Sequence, residues 1–559
     1  MRREILVTAA ILVAVIFFLL ATLPPRSVTL SLEGADASLA GRTARGAYHI
    51  HTKRSDGAED KAAVAAAAAR AGLTFAIFTE HGDGTAVPDP PAYVHGVLCV
   101  DGVEISTNGG HYVALDMAVA PYPLGGEAAA VVEDVARLGG FGVAAHPDHP
   151  KQALAWTDWK APIDGLEWLN ADAAWRDDKA VHLARVLFDY LLRPAPAIAS
   201  TLDRPTRTLD RWAALGQSRP VVGLAAADAH GGARARDEDG GGTLIGGPSY
   251  ESTFRTFSNS VVLGRPFAGD AAGDSRLLLE AVRRGHVYTV IDAIAGPAII
   301  AVHAQAASSQ GGAHVPLTIG DRATIGPAAS FDVDVTGNFG ERPMRRVPGT
   351  SAPQLVAPAR RDEPLSEGAH FFEVAAHGAP GQPPIPWILT NPIYFLRKGE
   401  RPTEDLHFVA SEAVPAAWRM ETDGRSRASI AAGPQATVSY QLAPGPRASQ
   451  FVALVTDLRN PGPGFTHLLF KGSASRPMRV SVQLRFPPDD RRWRKSVYLD
   501  TRPREVAVAV SDMVPADDPS ANAPSAGLAR SLMFVVDLVN ARPGDRGEFA
   551  VADVRIAKR

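Results

Sequence analysis

Apolar positions along the chain change pattern three times. Residues 5–23 form one continuous apolar run, broken only by Thr8 and Thr22. At about 1.5 Å per residue such a helix nearly spans the roughly 30 Å hydrocarbon layer of a bilayer. Arg2 and Arg3 precede it, which predicts an inside N-terminus and an exported body. Ala21-Thr22-Leu23-Pro24-Pro25 offers no clean cleavage site, so a retained membrane anchor is expected, with secretion after signal cleavage as the alternative. Segment 1–25 is therefore the anchor or signal, and 26–44 a polar, small-residue linker.

The second pattern is a strand–helix alternation. Short apolar runs at 46–52, 73–79, 97–105, 112–117, 141–145, 166–169, 221–226 and 287–290 read as strands. Helical spacing falls at 60–71, 127–138, 177–192, 208–215 and 275–284, with Gly72 and Gly139-Gly140 as helix stops. Such alternation predicts βαβ units in an α/β parallel sheet or barrel over 45–298. Beyond about residue 298 helical spacing fades and proline, glycine and period-two alternation take over, as in Phe331-Asp332-Val333-Asp334-Val335. A small β domain is expected at 299–398. Strands at 451–455, 479–486, 506–510, 532–539 and 549–556, with a loop at 514–528, predict a β-sandwich or jelly-roll-like domain over 399–559.

Composition narrows the partners. A length of 559 residues exceeds one ordinary core, and 51 Gly with 44 Pro fit many turns. The formal net charge of −3, with Lys and Arg spread along the chain, gives no basic stripe for nucleic acid. Cys99 is the single cysteine, so no intrachain disulfide forms; within Val97-Leu98-Cys99-Val100 it reads as a buried, inert thiol. Trp418, Trp493 and Tyr498 are candidates for a sugar-stacking platform in the last domain, with core packing as the simpler role.

The chemistry lies in nine residues at the ends of the apolar runs: His49, His51, Asp56, His81, Glu104, His111, His146, Asp228 and His230. Two histidines at i and i+2 on a strand share a face, so His49 and His51 can grip one ion, and Asp228-Ala229-His230 repeats the spacing. The Ser55-Asp56-Gly57 turn can return a carboxylate to the same mouth, and the Glu104 carboxylate can bridge two cations. Imidazole with carboxylate suits Zn, Mn or Fe better than Ca or Mg. Two or three such ions would activate water for hydrolysis, which fits the lack of a Gly-x-Ser-x-Gly nucleophile element.

His49-x-His51-Thr52, Ser55-Asp56-Gly57, Thr79-Glu80-His81, Gly102-Val103-Glu104-Ile105, Ala145-His146-Pro147 and Asp228-Ala229-His230 together resemble the polymerase-and-histidinol-phosphatase (PHP) metalloesterases, over roughly residues 44–298. The resemblance implies a distorted seven-stranded (β/α) barrel and a trinuclear site. It would place His49, His51, Glu104 and Asp228 on a first ion, Glu104 with His111 and His146 on a second, and Asp56, His81 and His230 on a third. Glu80 stands where many relatives have Asp, and Asp56 where some have His. Segments 283–289 and 387–394 resemble the branch with an appended β domain, in which some substrates are esters or carbamates. The expected activity is thus phosphoester hydrolysis on a small-molecule ester, with Glu104 and Asp228 at the metals and His149 protonating the leaving group. Ester, amide or carbamate hydrolysis by the same centre is the alternative, and a non-catalytic surface-binding protein the second. Arg176, Arg234, Arg236 and Arg255 are the candidate substrate cations, and a carbohydrate contact is open to the C-terminal domain.

Overall fold

The computed structural model describes residues 2–33, 35–176, 179–232, 247–307, 315–325, 330–339, 344–346, 354–355, 363–364, 366–376, 385–397, 408–415, 417–431, 433, 435–458, 464–516 and 525–559. Its first element is the apolar helix α1 (Arg2–Ala21), with no buried residue over Glu4–Ala21; by length and composition it suffices to cross a membrane. This is the form of a signal anchor or a signal sequence.

A mixed α/β body follows. Its elements are β1 (Thr43–Tyr48), α2 (Lys61–Arg70), β2 (Phe75–Phe78), β3 (Val97–Thr107), β4 (Gly110–Leu115), α3 (Ala128–Arg137), β5 (Phe141–Ala144), β6 (Gly165–Asn170), α4 (Ala180–Leu192), α5 (Thr206–Leu215), β7 (Val222–Ala226), β8 (Ser258–Val262), α6 (Ala271–Arg283) and β9 (Val287–Val290), with shorter helices between. Helix α2 shows why the chain folds so locally. The Asp60 carboxylate caps it by accepting from the Ala63 N–H at 2.9 Å, Val64, Ala65, Ala67 and Ala68 are buried, and Gly72 at φ +74° turns the chain out of it.

The strands run in the order β9-β8-β1-β2-β3-β4-β5-β6-β7. Neighbours β1 to β3 and β5 to β7 are parallel, while β4 is antiparallel to both its partners. The first and last of these seven strands meet: Ala227 N–H donates to Tyr48 O at 2.9 Å, His51 N–H to Ala229 O at 3.1 Å, and Ile50 bridges Ala229. Strand β8, whose polar Ser-Asn-Ser start hides it from hydrophobic patterning, pairs with residues 43–46 of β1 on the edge away from β2. Its Asn259 side chain accepts from Ala225 N–H and donates to Ala225 O, so side-chain amide groups satisfy backbone that no strand covers.

The sheet continues past the boundary expected near residue 298. Strand β10 (Gly368–Ala376) pairs with β11 (Ile385–Thr390), and β11 pairs with β9. Trp387, Phe371, Phe372 and Tyr394 share one core with Trp168 and Trp212 of the α/β body. Strands such as Ile300–Ala307 and Ser330–Gly337 form a separate small sheet.

The last region has two six-stranded antiparallel sheets. One centres on His467–Ala474 and Arg546–Lys558, the other on Met478–Phe486 and Ser531–Asp537. Inward residues of both, including Val438, Leu468, Phe549, Leu454, Val482 and Phe534, make a second core. This region docks on α3 through Arg479, which donates to Asp134, Glu133 and Ala130 O, and through Ser496 N–H to Glu127. Trp493 and Tyr498 are buried, and Trp418, half-buried, packs against the sandwich core. Residues 517–524 of the expected loop lie outside the described residues.

Candidate metal centre

Parallel strands put their C-terminal ends on one side, and that is where the chemistry collects. His49 and His51 follow β1, His81 follows β2, His146 follows β5, and Asp228 and His230 follow β7. His111 comes at the start of β4 instead, because that strand runs antiparallel and brings its N-terminal end to the same side. His49, His146 and Asp228 have φ of +63°, +28° and +42°. Non-glycine residues hold such backbone only where the surroundings impose it, and here it turns three side chains inward.

Five of the nine candidates face Glu104. Its Oε2 stands 3.2 Å from His49 Nε2, 3.3 Å from His51 Nε2 and 3.2 Å from His81 Nδ1. Its Oε1 stands 2.8 Å from His111 Nδ1 and 2.9 Å from His146 Nε2. One buried carboxylate thus faces five histidines from two sides. Asp56 faces His51, His81 and His230 at 3.2–3.5 Å, and Asp228 faces His49, His51 and His230 at 3.5–3.7 Å. Four groups could each hold an ion: His51, Asp56, His81 and His230; His49, His51 and Glu104; His49, His146 and Asp228; and His81, Glu104 and His111. They overlap more than the sequence-based division does, with His51 also at Asp56 and His81 also at Glu104.

The spacings fit shared cations. His49 Nε2 and His51 Nε2 are buried without a hydrogen-bond partner although carboxylate oxygens lie close. Two donors on one tetrahedral ion, each about 2.1 Å from it, stand about 3.4 Å apart, which matches these pairs. Electrostatics agree. Burial pushes the Glu104 and Asp228 carboxyls up, yet the facing histidines outweigh it and hold both well below the usual range. Burial lowers His49, but Glu167, Asp228 and Glu104 hold it well above an ordinary histidine. His230, despite burial, is raised to about 10 by Asp56 and Asp228.

Sequence patterning missed the residues that hold the ligands. Glu167, buried in β6, accepts from His49 Nδ1 at 2.6 Å, from His146 N–H at 2.7 Å and from Asn170 Nδ2 at 2.9 Å. Asn170 also donates to Asp228 at 3.0 Å. The available signal was a carboxylate inside the apolar run Leu166-Glu167-Trp168-Leu169, where an unpartnered charge is untenable. Glu80 accepts from Thr52 N–H at 3.1 Å and Ser55 Oγ at 2.5 Å, fixing the loop that carries Asp56. Gly57 is required there, since a Cβ would lie 2.4 Å from His51 O.

All the candidates but His49 and His51 line a cavity of about 70 Å³ with His149, Lys151, Asp172 and Arg176. His149 Nδ1 accepts from Lys151 N–H at 3.0 Å, and burial with nearby His146 lowers its pKa. Arg176 is bound to Asp172 at 2.5 Å. Arg255 binds Arg70 O at the end of α2 remote from the site, and Arg234 and Arg236 lie outside the described residues. Cys99 is buried, and burial pushes its thiol up to about 11.

No family model and no curated protein matches the chain. Among solved structures it is similar to a family 11 carbohydrate-binding module of the cellulosomal cellulase Lic26A-Cel5E of Clostridium thermocellum, at 13% identity over 27% of this chain and 97% of that one, with a TM-score of 0.22. It is also similar to TmCBM61 in complex with β-1,4-galactotriose, at 12% identity over 26% of this chain and 92% of that one, with a TM-score of 0.17. Likeness of this degree says nothing of what the present chain binds.

Proposed function

We propose that the chain is a metal-dependent hydrolase of phosphoesters, of the PHP type, held at a membrane by α1 with its body on the extracytoplasmic side. The carrying observation is the pair of Glu104 oxygens facing five histidines, four of them buried, with Asp56 and Asp228 completing the ring. In this reading β1 to β7, joined end to end by the Ala227–Tyr48 hydrogen bond, form the distorted seven-stranded barrel, and β8 and β9 lead out to the β regions.

The nine ligands would hold about two or three Zn, Mn or Fe ions, which supply a water of near-neutral pKa and charge to polarise the ester oxygen. The chain's own groups do the rest. Glu167 fixes the ring of His49 and the backbone of His146. Lys151 and Arg176 line the same cavity, on the side open to an anionic ester. His149, neutral at pH 7 and accepting at Nδ1, carries its proton on Nε2 and offers it as a hydrogen bond to the leaving oxygen. Carboxylic ester, amide or carbamate hydrolysis is the second reading, favoured by the engagement of Arg176 with Asp172. The test is a screen of the metal-loaded full chain against phosphate and carboxylic esters. Phosphoester turnover that His146→Ala and Asp228→Ala abolish is expected; turnover of carboxylic esters alone replaces the first reading with the second.

A further inference from the structure

Beside the metal cavity lies a second, larger chamber of about 230 Å³. Asp56, Asp228, His230, Asp172 and Arg176 belong to both walls, so the chamber opens directly onto the ligands. Its other walls are mainly apolar: Trp175, Leu183, Val186, Leu187, Tyr190 and Ile198. A hydrolase confined to small charged phosphates has no use for such a compartment, because their hydration would be lost against it.

The helix roofing the chamber is itself unusual. The inner face of α4 lines the chamber, yet its outer strip is also apolar. Val181, Leu187 and Leu191 are 85%, 59% and 77% exposed, and Ala184 between them is exposed too. A helix at a water-facing surface carries polar residues on that strip. The middle and the C-terminal end of α4 are tied to the point where α1 ends. Arg185 donates to Leu19 O at 2.8 Å and to Thr22 Oγ1 at 2.9 Å, and Arg193 donates to Pro24 O. The helix that carries the exposed strip is therefore held beside the end of the membrane-length helix, as helices that lie in a bilayer interface would be.

We propose that the substrate is a membrane amphiphile, whose hydrocarbon tail fills this chamber while its head-group phosphoester reaches the metal ligands. The proposal rests on the hydrolase reading above and adds the substrate class. Helix α4 beds its outer strip in the bilayer surface, and Leu187, shared by strip and chamber, stands at the passage between lipid and site.

The test titrates the metal-loaded full chain, in phosphatidylcholine nanodiscs, with methylphosphonate and octylphosphonate. Each methylene buried in the chamber adds about fourfold in affinity, so octylphosphonate binds well over tenfold more tightly. Val186→Trp fills the chamber and removes that advantage while metal content holds; Leu183→Trp is the second variant should the first not fold. Equal affinity for the two phosphonates, or an octyl advantage that survives the Trp substitutions, overturns the chamber as a tail site. Failure of the metal-loaded protein to bind either phosphonate overturns instead the phosphoester reading, and with it the phosphate head group assigned here.

Discussion

Glu167→Gln separates a pre-built metal site from a chance gathering of histidines. Glu167 touches no proposed ion, yet its two oxygens hold ligands from two strands: His49 Nδ1 at 2.6 Å on one, His146 N–H at 2.7 Å and Asn170 Nδ2 at 2.9 Å on the other. Glutamine keeps the volume, removes the charge and offers one acceptor oxygen. Its amide must therefore turn an NH2 toward a donor on one side, and at least one ligand loses its anchor. A hydrogen bond to a charged group contributes about 1.5–3 kcal/mol, which as an equilibrium constant is about tenfold to somewhat over a hundredfold. Loss of such outer partners weakens metal binding by about 10–100-fold in characterised sites. Chelator competition with Zn at fixed pH measures it, with circular dichroism confirming the fold. Affinity within about twofold of the parent protein would refute the claim that Glu167 organises the centre.

The same contacts predict effects away from the metals. Asn391 accepts from Gly223 N–H at 2.8 Å and donates to Gly223 O and Val287 O, so Asn391→Leu strands buried backbone. A loss of about 2–3 kcal/mol in urea unfolding is expected, and unchanged stability contradicts the strand-edge role. Arg479→Met leaves Asp134 buried with only Tyr122 and Arg137 beside it. Breaking a buried pair costs about 3 kcal/mol, so calorimetry should show the sandwich unfolding before the α/β body; one unshifted transition counts against it. Asp274 accepts from Ala268 N–H, Gly269 N–H and Tyr93; burial raises its carboxyl, but these bonds outweigh it and hold it below the ordinary 3.8. Its stabilisation is whole above pH 3.8 and fades as pH falls through the lowered folded value. Asp274→Asn should destabilise at pH 7, with the gap to the parent closing only in acid; a gap constant with pH excludes the ionised carboxylate as its source.

The nine candidate ligands were legible in the sequence because strand ends and i, i+2 spacing are local signals, and the structure brings their side chains together. The alternation at 46–290 likewise foretold the order of β1 to β7 and their intervening helices. What stayed hidden is long-range. Glu167 meets His49 across 118 residues, and only the partner explains the charge. Strand β8 begins with three polar residues, of which Asn259 serves the Ala225 backbone and Ser258 donates to Asp292. Nor does any local pattern show that β11 extends the sheet of β9, since a pairing across about a hundred residues leaves no periodicity. Core packing, the simpler role for the aromatics of the last region, holds for Trp493 and Tyr498, though a single sequence does not show which face of a strand is inward.

The central claim, on the hydrolase reading, is that nine side chains from six strands and their loops exist to hold metal. Element analysis of the full chain after expression with Zn, Mn and Fe tests it most directly. The account predicts about two or three transition ions per chain, falling on Glu104→Gln, which breaks the carboxylate shared by five histidines. Less than about one ion per chain, or a content that Glu104→Gln leaves unchanged, would contradict it.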